Sequence, residues 1–131
     1  MMNKKSGLAG LTGSSDMRDV TARYDAGDED AKLAIEMWTY VIQKYIGSYI
    51  AAMNGVDAII FTAGIGENSA ATRAAICEYL GYLGIEICPE CNKKRGEDMF
   101  ISTADSKVKV MVIPTNEELV IARDTKELVE G

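Results

Sequence analysis

The residues best suited to chemistry form a short glycine-rich segment, Thr62-Ala63-Gly64-Ile65-Gly66-Glu67-Asn68. The segment follows an apolar run, residues 56–61, that favours a buried strand, and it precedes helix-favouring residues 69–76. Glycines let a backbone approach a ligand closely, and the first N–H groups of a helix lack partners and attract anions. The segment therefore predicts a site that binds a phosphate or a nucleotide.

Two other interpretations of this segment remain open from its spacing alone. The pattern Gly64-x-Gly66-x-x-Ser69 differs from the dinucleotide-binding pattern at its third position, and Glu86 lies about where that pattern places a ribose-binding acid. A tight turn with a purely structural role would use the same glycines. Phosphate or nucleotide binding, dinucleotide binding and a structural turn are therefore the three alternatives.

A second polar segment follows the other strongly predicted strand. Residues 107–113 begin with alternating residue types and finish as an apolar run, and residues 116–130 are predicted to form a helix. Thr115 and Glu118 have the spacing of a capping box, in which each side chain accepts from the other residue's N–H group. Glu117 is then free to bind Mg²⁺ beside a phosphate. The alternative is an ordinary solvated acid.

The third candidate segment is Asp16-Met17-Arg18. Ser15 or Asp16 is a suitable N-cap for a helix that runs to about Tyr24. Arg18 has the geometry to bind a phosphate or to pair with an acid. Local sequence alone favours a capped helix with a solvated arginine.

The remaining elements predict an α/β fold with parallel strand pairing, because strands alternate with helices along the chain. Residues 1–15 are predicted to be loop, residues 85–87 and 100–102 short strands, and most of residues 89–105 irregular. A long helix is expected to begin at Asp28 and to end at Asn54-Gly55. Its apolar stripe is wide, so burial on more than one side is expected; the stripe comprises Ile35, Trp38, Ile42, Tyr45, Tyr49 and Met53, widened by Ala34, Val41, Ile46 and Ile50.

Length and charge limit the possible functions. The 131 residues suit one domain, and the net charge of −6 gives no electrostatic basis for binding nucleic acid or an anionic membrane. No apolar run approaches a membrane span of ~18 residues, so a cytoplasmic protein is expected. The chain has no histidine, which removes the commonest general base near neutral pH.

Cys77, Cys88 and Cys91 are the three cysteines of the chain. The last two form a Cys-x-x-Cys pattern, which as a redox motif would require a following helix N-terminus, whereas the residues after it are typical of a polar loop. A zinc site would need four ligands, and histidine is absent. Free cysteines in a reducing compartment are therefore expected, and a redox or zinc module built on Cys88 and Cys91 is the alternative.

Taken together, the three segments resemble the carboxy-terminal part of the acetate kinase family. The residues that carry the resemblance are Ser6-Gly7-Leu8 with residues 14–19, Phe61–Asn68, and Val112–Leu119, in this order along the chain. The resemblance implies a ribonuclease-H-like α/β lobe of the sugar-kinase, actin and heat-shock-chaperone superfamily, with residues 1–131 as the carboxy-terminal nucleotide-binding lobe. It also implies transfer of a phosphoryl group between ATP and acetate with Mg²⁺, in a homodimer.

By motif, the resemblance assigns nucleotide contacts to eight residues: Asp16, Met17, Arg18, Gly64, Ile65, Gly66, Glu67 and Asn68. Glu117 is similar to the family's magnesium-linked glutamate. The acetate pocket and the catalytic residues of the family belong to segments that precede this lobe, so none is expected in this chain. The lobe alone is therefore expected to be inactive, and propionate or butyrate kinases, or a non-catalytic ATP-binding or dimerisation module, are the alternatives.

Overall fold

A computed structural model describes residues 6–130 and divides the chain into two compact units, Met1–Gly55 and Val56–Gly131, each described here by itself. The first unit contains α1 (Leu8–Thr12), α2 (Met17–Asp25) and α3 (Glu29–Met53). Residues 1–15 were expected to be loop, and this prediction is wrong for residues 8–12, which form α1. Residues 1–5 lie outside the described part. A five-residue helix carries little sequence signal, and a long-range hydrogen bond from the Arg23 guanidinium to the carbonyl of Thr12 supports it.

The boundaries of α2 and α3 confirm the sequence prediction. Asp16 caps α2 by accepting from the backbone N–H of Arg18 at 2.9 Å, and Asp28 caps α3 by accepting from that of Ala31 at 3.0 Å. Asn54 ends α3 in the left-handed conformation, with φ 59°. Side chains that satisfy the first N–H groups, and a residue that tolerates positive φ, explain these three ends.

The exposed face of α3 is a correction to the prediction. Ala31, Ala34 and Thr39 are its buried residues, whereas Tyr45 and Tyr49 are each 61% exposed. The prediction of burial on more than one side is therefore wrong for this chain, because an apolar stripe does not specify which surface covers it. Other exposed large apolar residues of the helix are Leu33, Met37, Tyr40, Val41 and Met53.

The second unit is built on a three-stranded mixed sheet with the order β1-β3-β2. The strands are β1 (Ala58–Phe61), β2 (Met99–Phe100) and β3 (Lys109–Val112). Strands β1 and β3 are parallel, with Phe61 opposite Val112, as predicted. Strand β2 runs antiparallel to β3, and the predicted strand at 85–87 is reduced to a single bridge between Ile87 and Ser102.

Among the described residues of this unit, four α-helices and one 3-10 turn (Gly81–Leu83) accompany the sheet; the α-helices are α4 (Ala63–Asn68), α5 (Ala70–Glu78), α6 (Pro89–Asn92) and α7 (Glu117–Glu130). The glycine-rich segment, predicted to be a turn, is therefore itself a short helix, α4. The predicted irregular stretch 89–105 likewise contains α6 and β2. Helices and strands of this length depend on tertiary contacts, so their propensity alone does not reveal them.

The core of the second unit draws its buried residues from the sheet and from the α5 region. Alternate residues of β3 are buried, so Val110 and Val112 are 0% and 1% exposed, while Lys109 and Met111 are half-buried. Ile76 and Leu80 from the α5 region and Ile101 after β2 are also buried. Within residues 6–130, no helix combines the length and apolar character needed to cross a membrane.

Candidate functional site

The two polar segments meet at one edge of the sheet. Because β1 and β3 are parallel neighbours, their carboxyl ends lie side by side, and the N–H of Ile113 donates to the carbonyl of Phe61 at 3.0 Å. The segment after β1 begins with Thr62, and the segment after β3 contains Thr115. Ligands of open α/β sheets bind beyond such carboxyl ends, so this edge is the candidate site.

Hydrogen bonds join the two segments directly. The hydroxyl oxygens of Thr62 and Thr115 are 2.7 Å apart, and the Thr115 hydroxyl also accepts from the backbone N–H of Ala63 at 3.2 Å. The carboxylate of Glu67 accepts from the backbone N–H of Thr115 at 2.7 Å. These bonds fix α4 relative to the end of β3.

The predicted capping box is wrong. The residue that caps α7 is Asn116, whose side-chain oxygen accepts from the N–H of Leu119 at 3.0 Å. The Thr115 N–H donates to Glu67 and not to Glu118. The spacing matched a local motif, but the N–H of Thr115 binds Glu67 and its hydroxyl binds Thr62, so the capping box does not form.

The two glycines of α4 have different surroundings. A Cβ added to Gly66 would lie 3.4 Å from the carbonyl carbon of Phe61, whereas one added to Gly64 would meet nothing within 4 Å. Gly66 therefore permits close packing of α4 on the end of β1. Gly64 is the glycine whose surface is open to a ligand, and Ile65 and Asn68 are also exposed.

Local contacts shape the rest of α4. The side-chain amide of Asn68 donates to the carbonyl of Gly64 at 2.8 Å. Ala63, at the start of the helix, has a positive φ of 58°, which costs an alanine about 1–2 kcal/mol. Backbone strain of this kind persists only where the surroundings fix the chain, and the bond from Ala63 to Thr115 is one such restraint.

An open cleft of about 750 Å³ adjoins this edge, lined by residues 96–98 and 113–118. Four of its lining residues are acidic: Glu97, Asp98, Glu117 and Glu118. Glu117 lies in the first turn of α7 and is exposed. Such a rim disfavours a bare triphosphate and favours one neutralised by a cation.

Mg²⁺ at this rim would have to take most of its oxygen ligands from a phosphate and from water. Among residues 6–130, no group of three or more His, Cys, Asp or Glu residues is arranged to hold a metal ion. A protein site for Mg²⁺ often supplies only one or two carboxylates, with phosphate oxygens and water completing the shell. The exposed carboxylate of Glu117 meets that requirement.

Asp16, Met17 and Arg18 lie in the first unit, at the start of α2. The Arg18 guanidinium donates to both carboxylate oxygens of Asp16, at 3.0 and 2.6 Å. The side-chain bond from Arg18, followed by its backbone bond, lowers the pKa of Asp16 to about 2. The Arg18 side chain is 91% exposed, so it remains accessible to a ligand.

Sequence reasoning missed Arg73 of α5, which is completely buried. Its guanidinium donates to the carbonyls of Gly66 and Glu67, each at 2.8 Å, and to the side-chain oxygen of Asn92 at 2.8 Å. Burial, followed by the charge of Arg95, lowers its pKa. The available signal was its position, since Arg73 lies at helical spacing with the buried residues Ile76 and Leu80.

The cysteines are a further correction. Cys88 and Cys91 form a disulfide bond, and Cys77 is free and buried. The prediction of free cysteines is therefore wrong for this pair. Cys88 caps α6, which lies in the stretch predicted to be irregular, and the fold of this turn brings the two sulfur atoms together.

Comparison with known proteins places these features in a wider group. The sequence pattern of the acetokinase family matches residues 1–123. The chain is 60% identical to the acetate kinase of Carboxydothermus hydrogenoformans over 129 residues, which are 98% of this chain and 32% of that protein. The chain therefore spans about a third of the length of such relatives.

Solved structures give the same result. The crystal structure of the Porphyromonas gingivalis acetate kinase matches 98% of this chain and 33% of that chain, with a TM-score of 0.87 and 45% identity. A propionate kinase from Francisella tularensis matches 95% of this chain and 32% of that chain, with a TM-score of 0.84 and 44% identity. These similarities confirm the predicted α/β fold.

Proposed function

Since this chain belongs to the acetokinase family, we propose that it forms the nucleotide-binding part of an acetate kinase. The complete enzyme transfers a phosphoryl group between ATP and acetate, with ADP and acetyl phosphate on the other side of the reaction. The observation that carries the proposal is the hydrogen-bonded edge where α4 and the start of α7 meet.

The nucleotide contacts are assigned to Gly64–Asn68 and to Asp16, Met17 and Arg18. Gly64 has open space where a side chain would lie, which suits close approach by a phosphate. Arg18 offers an exposed guanidinium whose partner Asp16 holds it in place. Glu67 acts differently, because its carboxylate already binds the Thr115 N–H and so supports the shape of the segment.

Glu117 is the proposed ligand of Mg²⁺. Its carboxylate would share the ion with phosphate oxygens, and the ion would neutralise charge on the phosphoryl group. The cleft also contains three neighbouring acids, Glu97, Asp98 and Glu118. They repel phosphate that carries no cation, so they increase the dependence of binding on the ion. Nucleotide binding at this edge should therefore depend on Mg²⁺.

The catalytic groups are proposed to lie in the part of the enzyme that this chain does not represent. Phosphoryl transfer depends on positioning both substrates and on stabilising charge at the transferred group. This chain is proposed to supply the nucleotide side of that arrangement. The 131-residue chain alone should therefore bind MgATP and form no acetyl phosphate.

A propionate kinase is the second candidate, and the match to the Francisella tularensis protein favours it. The same nucleotide edge would serve both enzymes, since an acyl group one carbon longer changes the acceptor pocket. Comparison of acetate and propionate as acceptors in the complete enzyme distinguishes the two candidates.

Self-association through the first unit is proposed from α3. Its outward residues include Tyr40, Tyr45 and Tyr49, each at least 60% exposed. Several exposed large apolar side chains on one helix are typical of a protein interface. Light scattering should show a dimer, and a monomer at high protein concentration would contradict the assignment.

Titration of MgATP into this chain tests the nucleotide proposal. Glu117→Gln removes the charge with little change of shape and should weaken MgATP binding about tenfold or more, while Glu118→Gln, the matched control in the same cleft, should change it less than threefold. Omission of Mg²⁺ should reproduce the Glu117→Gln result in the unaltered chain. Absence of MgATP binding, or equal effects of the two variants, would contradict the proposal.

A further inference from the structure

We propose that the Cys88–Cys91 disulfide is a redox-active site that controls the order of α4. The disulfide links the N-cap of the four-residue helix α6 to the third residue of that helix, and α6 ends at Asn92. Asn92 binds Arg73, and Arg73 binds the end of α4. Reduction of the disulfide should therefore weaken first the contact between Asn92 and Arg73 and then the contact between Arg73 and α4.

The disulfide stabilises the turn that presents Asn92. The backbone N–H of Asn92 donates to the carbonyl of Cys88 at 2.9 Å, and the N–H of Cys91 donates to the sulfur of Cys88 at 3.2 Å. A single helical turn is marginal without further support. A covalent link between its N-cap residue, Cys88, and its third residue, Cys91, removes alternative conformations of this turn.

Asn92 is the residue that connects the turn to α5. It is 5% exposed, and its side-chain oxygen accepts from Nε of Arg73 at 2.8 Å, while its carbonyl accepts from Nη2 of the same guanidinium. The side-chain amide nitrogen of Asn92 donates to the carbonyl of Ala70 at 2.8 Å. Asn92 therefore satisfies two of the donors of a buried cation whose position depends on it.

Arg73 transmits this position to α4. Its Nη1 donates to the carbonyls of Gly66 and Glu67, each at 2.8 Å. These carbonyls lie near the carboxyl end of α4, where helix carbonyls lack partners and a cation is favourable. Displacement of Asn92 would expose Arg73 to competition from water and release the end of α4.

Cys88 and Cys91 are half-buried residues, whereas Cys77 is buried, so the pair is the one proposed to exchange with a reductant. The reductant is a dithiol. One of its thiolates attacks a sulfur of the pair, breaks the Cys88–Cys91 bond and forms a mixed disulfide. Its second thiolate then displaces the remaining cysteine, so that two electrons and two protons reside on Cys88 and Cys91 and the reductant leaves as a disulfide.

Hydrogen–deuterium exchange of the chain, with and without dithiothreitol, tests the inference. Thiol titration should first show a gain of two thiols on reduction. The peptide spanning residues 62–73 should then exchange at least threefold faster, while peptides from α3 should not change. Unchanged exchange at residues 62–73 after a gain of two thiols, or no gain of thiols, would overturn the inference.

Variants separate the effect of the disulfide from the effect of the contacts of Asn92 and Arg73 that connect it to α4. The double substitution Cys88→Ser and Cys91→Ser should exchange fast with or without dithiothreitol, and Cys77→Ala should keep the full response. Asn92→Ala should exchange fast while the disulfide is intact, whereas Asn92→Asp, which keeps an oxygen for Arg73, should keep the response. A change of exchange on addition of dithiothreitol to the double cysteine variant, or normal exchange in Asn92→Ala, would contradict the proposed connection from the disulfide through Asn92 and Arg73 to α4.

The consequence for ligand binding rests on the proposed function. MgATP affinity should fall at least threefold on reduction of the unaltered chain. Absence of MgATP binding in both redox states would contradict the nucleotide role of the chain, while the exchange result would still decide the redox inference by itself.

Discussion

A matched pair of substitutions in α4, Gly66→Val and Gly64→Val, separates packing from ligand approach. Both place the same side chain in the same short helix, so the small difference in helix propensity between glycine and valine is common to them. The two positions differ in their surroundings. A Cβ on Gly66 lies 3.4 to 3.6 Å from three atoms of Phe61, and one on Gly64 lies in open space.

The distances set the expected magnitude. A Cβ at 3.4 Å from backbone is already in van der Waals contact. We therefore expect the two further methyl groups of valine to overpack this site, at a cost of about 1–3 kcal/mol. With a urea m-value of about 1.5 kcal/mol/M, the unfolding midpoint of Gly66→Val should lie about 0.7 to 2 M below that of Gly64→Val. Circular dichroism at 222 nm measures both midpoints.

The ligand prediction concerns Gly64, whose substitution tests phosphate approach without the packing contact made at Gly66. Gly64→Val should keep its stability and lose MgATP affinity, because its side chain occupies the open surface where a phosphate is proposed to approach. Equal urea midpoints for the two variants would refute the packing argument. A stable Gly64→Val that binds MgATP normally would refute the assignment of Gly64 to the nucleotide.

Three further predictions concern single groups. Asn116→Ala removes the cap that accepts from the N–H of Leu119, so it should destabilise the chain to urea by about 1 kcal/mol. Burial raises the pKa of Cys77 from 9.0 to about 11. The stability gained from keeping this thiol protonated in the folded chain is therefore complete below pH 9 and lost as the pH rises through 11. At pH 8 the folded chain should react with a thiol reagent far more slowly than the urea-unfolded chain. The bonds from Arg18 lower the pKa of Asp16 from 3.8 to about 2, so its contribution is present above pH 3.8 and lost as the pH falls through 2; Arg18→Gln should move the NMR titration midpoint of Asp16 back towards 3.8.

Local sequence was sufficient for the elements with strong signals. Asp16 and Asp28 were predictable caps because a side-chain oxygen next to an apolar periodic segment satisfies the first N–H groups of a helix. The alternation in β3 was equally clear, since one face of the strand is buried. The order of these elements also placed the glycine-rich segment and Glu117 after strands, which made both of them candidate site residues.

Short elements and long-range bonds could not be predicted in this way. The capping-box pattern at Thr115 competes with Thr62 and Glu67, which lie about fifty residues away in sequence. The pairing of Cys88 with Cys91 depends on the turn formed by α6. A propensity argument does not include such partners, because they become available only when the chain has folded.

The sequence by itself determined the α/β class, the long helix, and the two polar segments that follow β1 and β3. Only the tertiary structure decided that these segments share one sheet edge, that Gly66 serves packing while Gly64 faces open space, and that Arg73 supports α4. The physical reason is that periodicity and capping act within a few residues, whereas parallel pairing of β1 with β3 and the burial of a guanidinium bring together residues far apart in the chain.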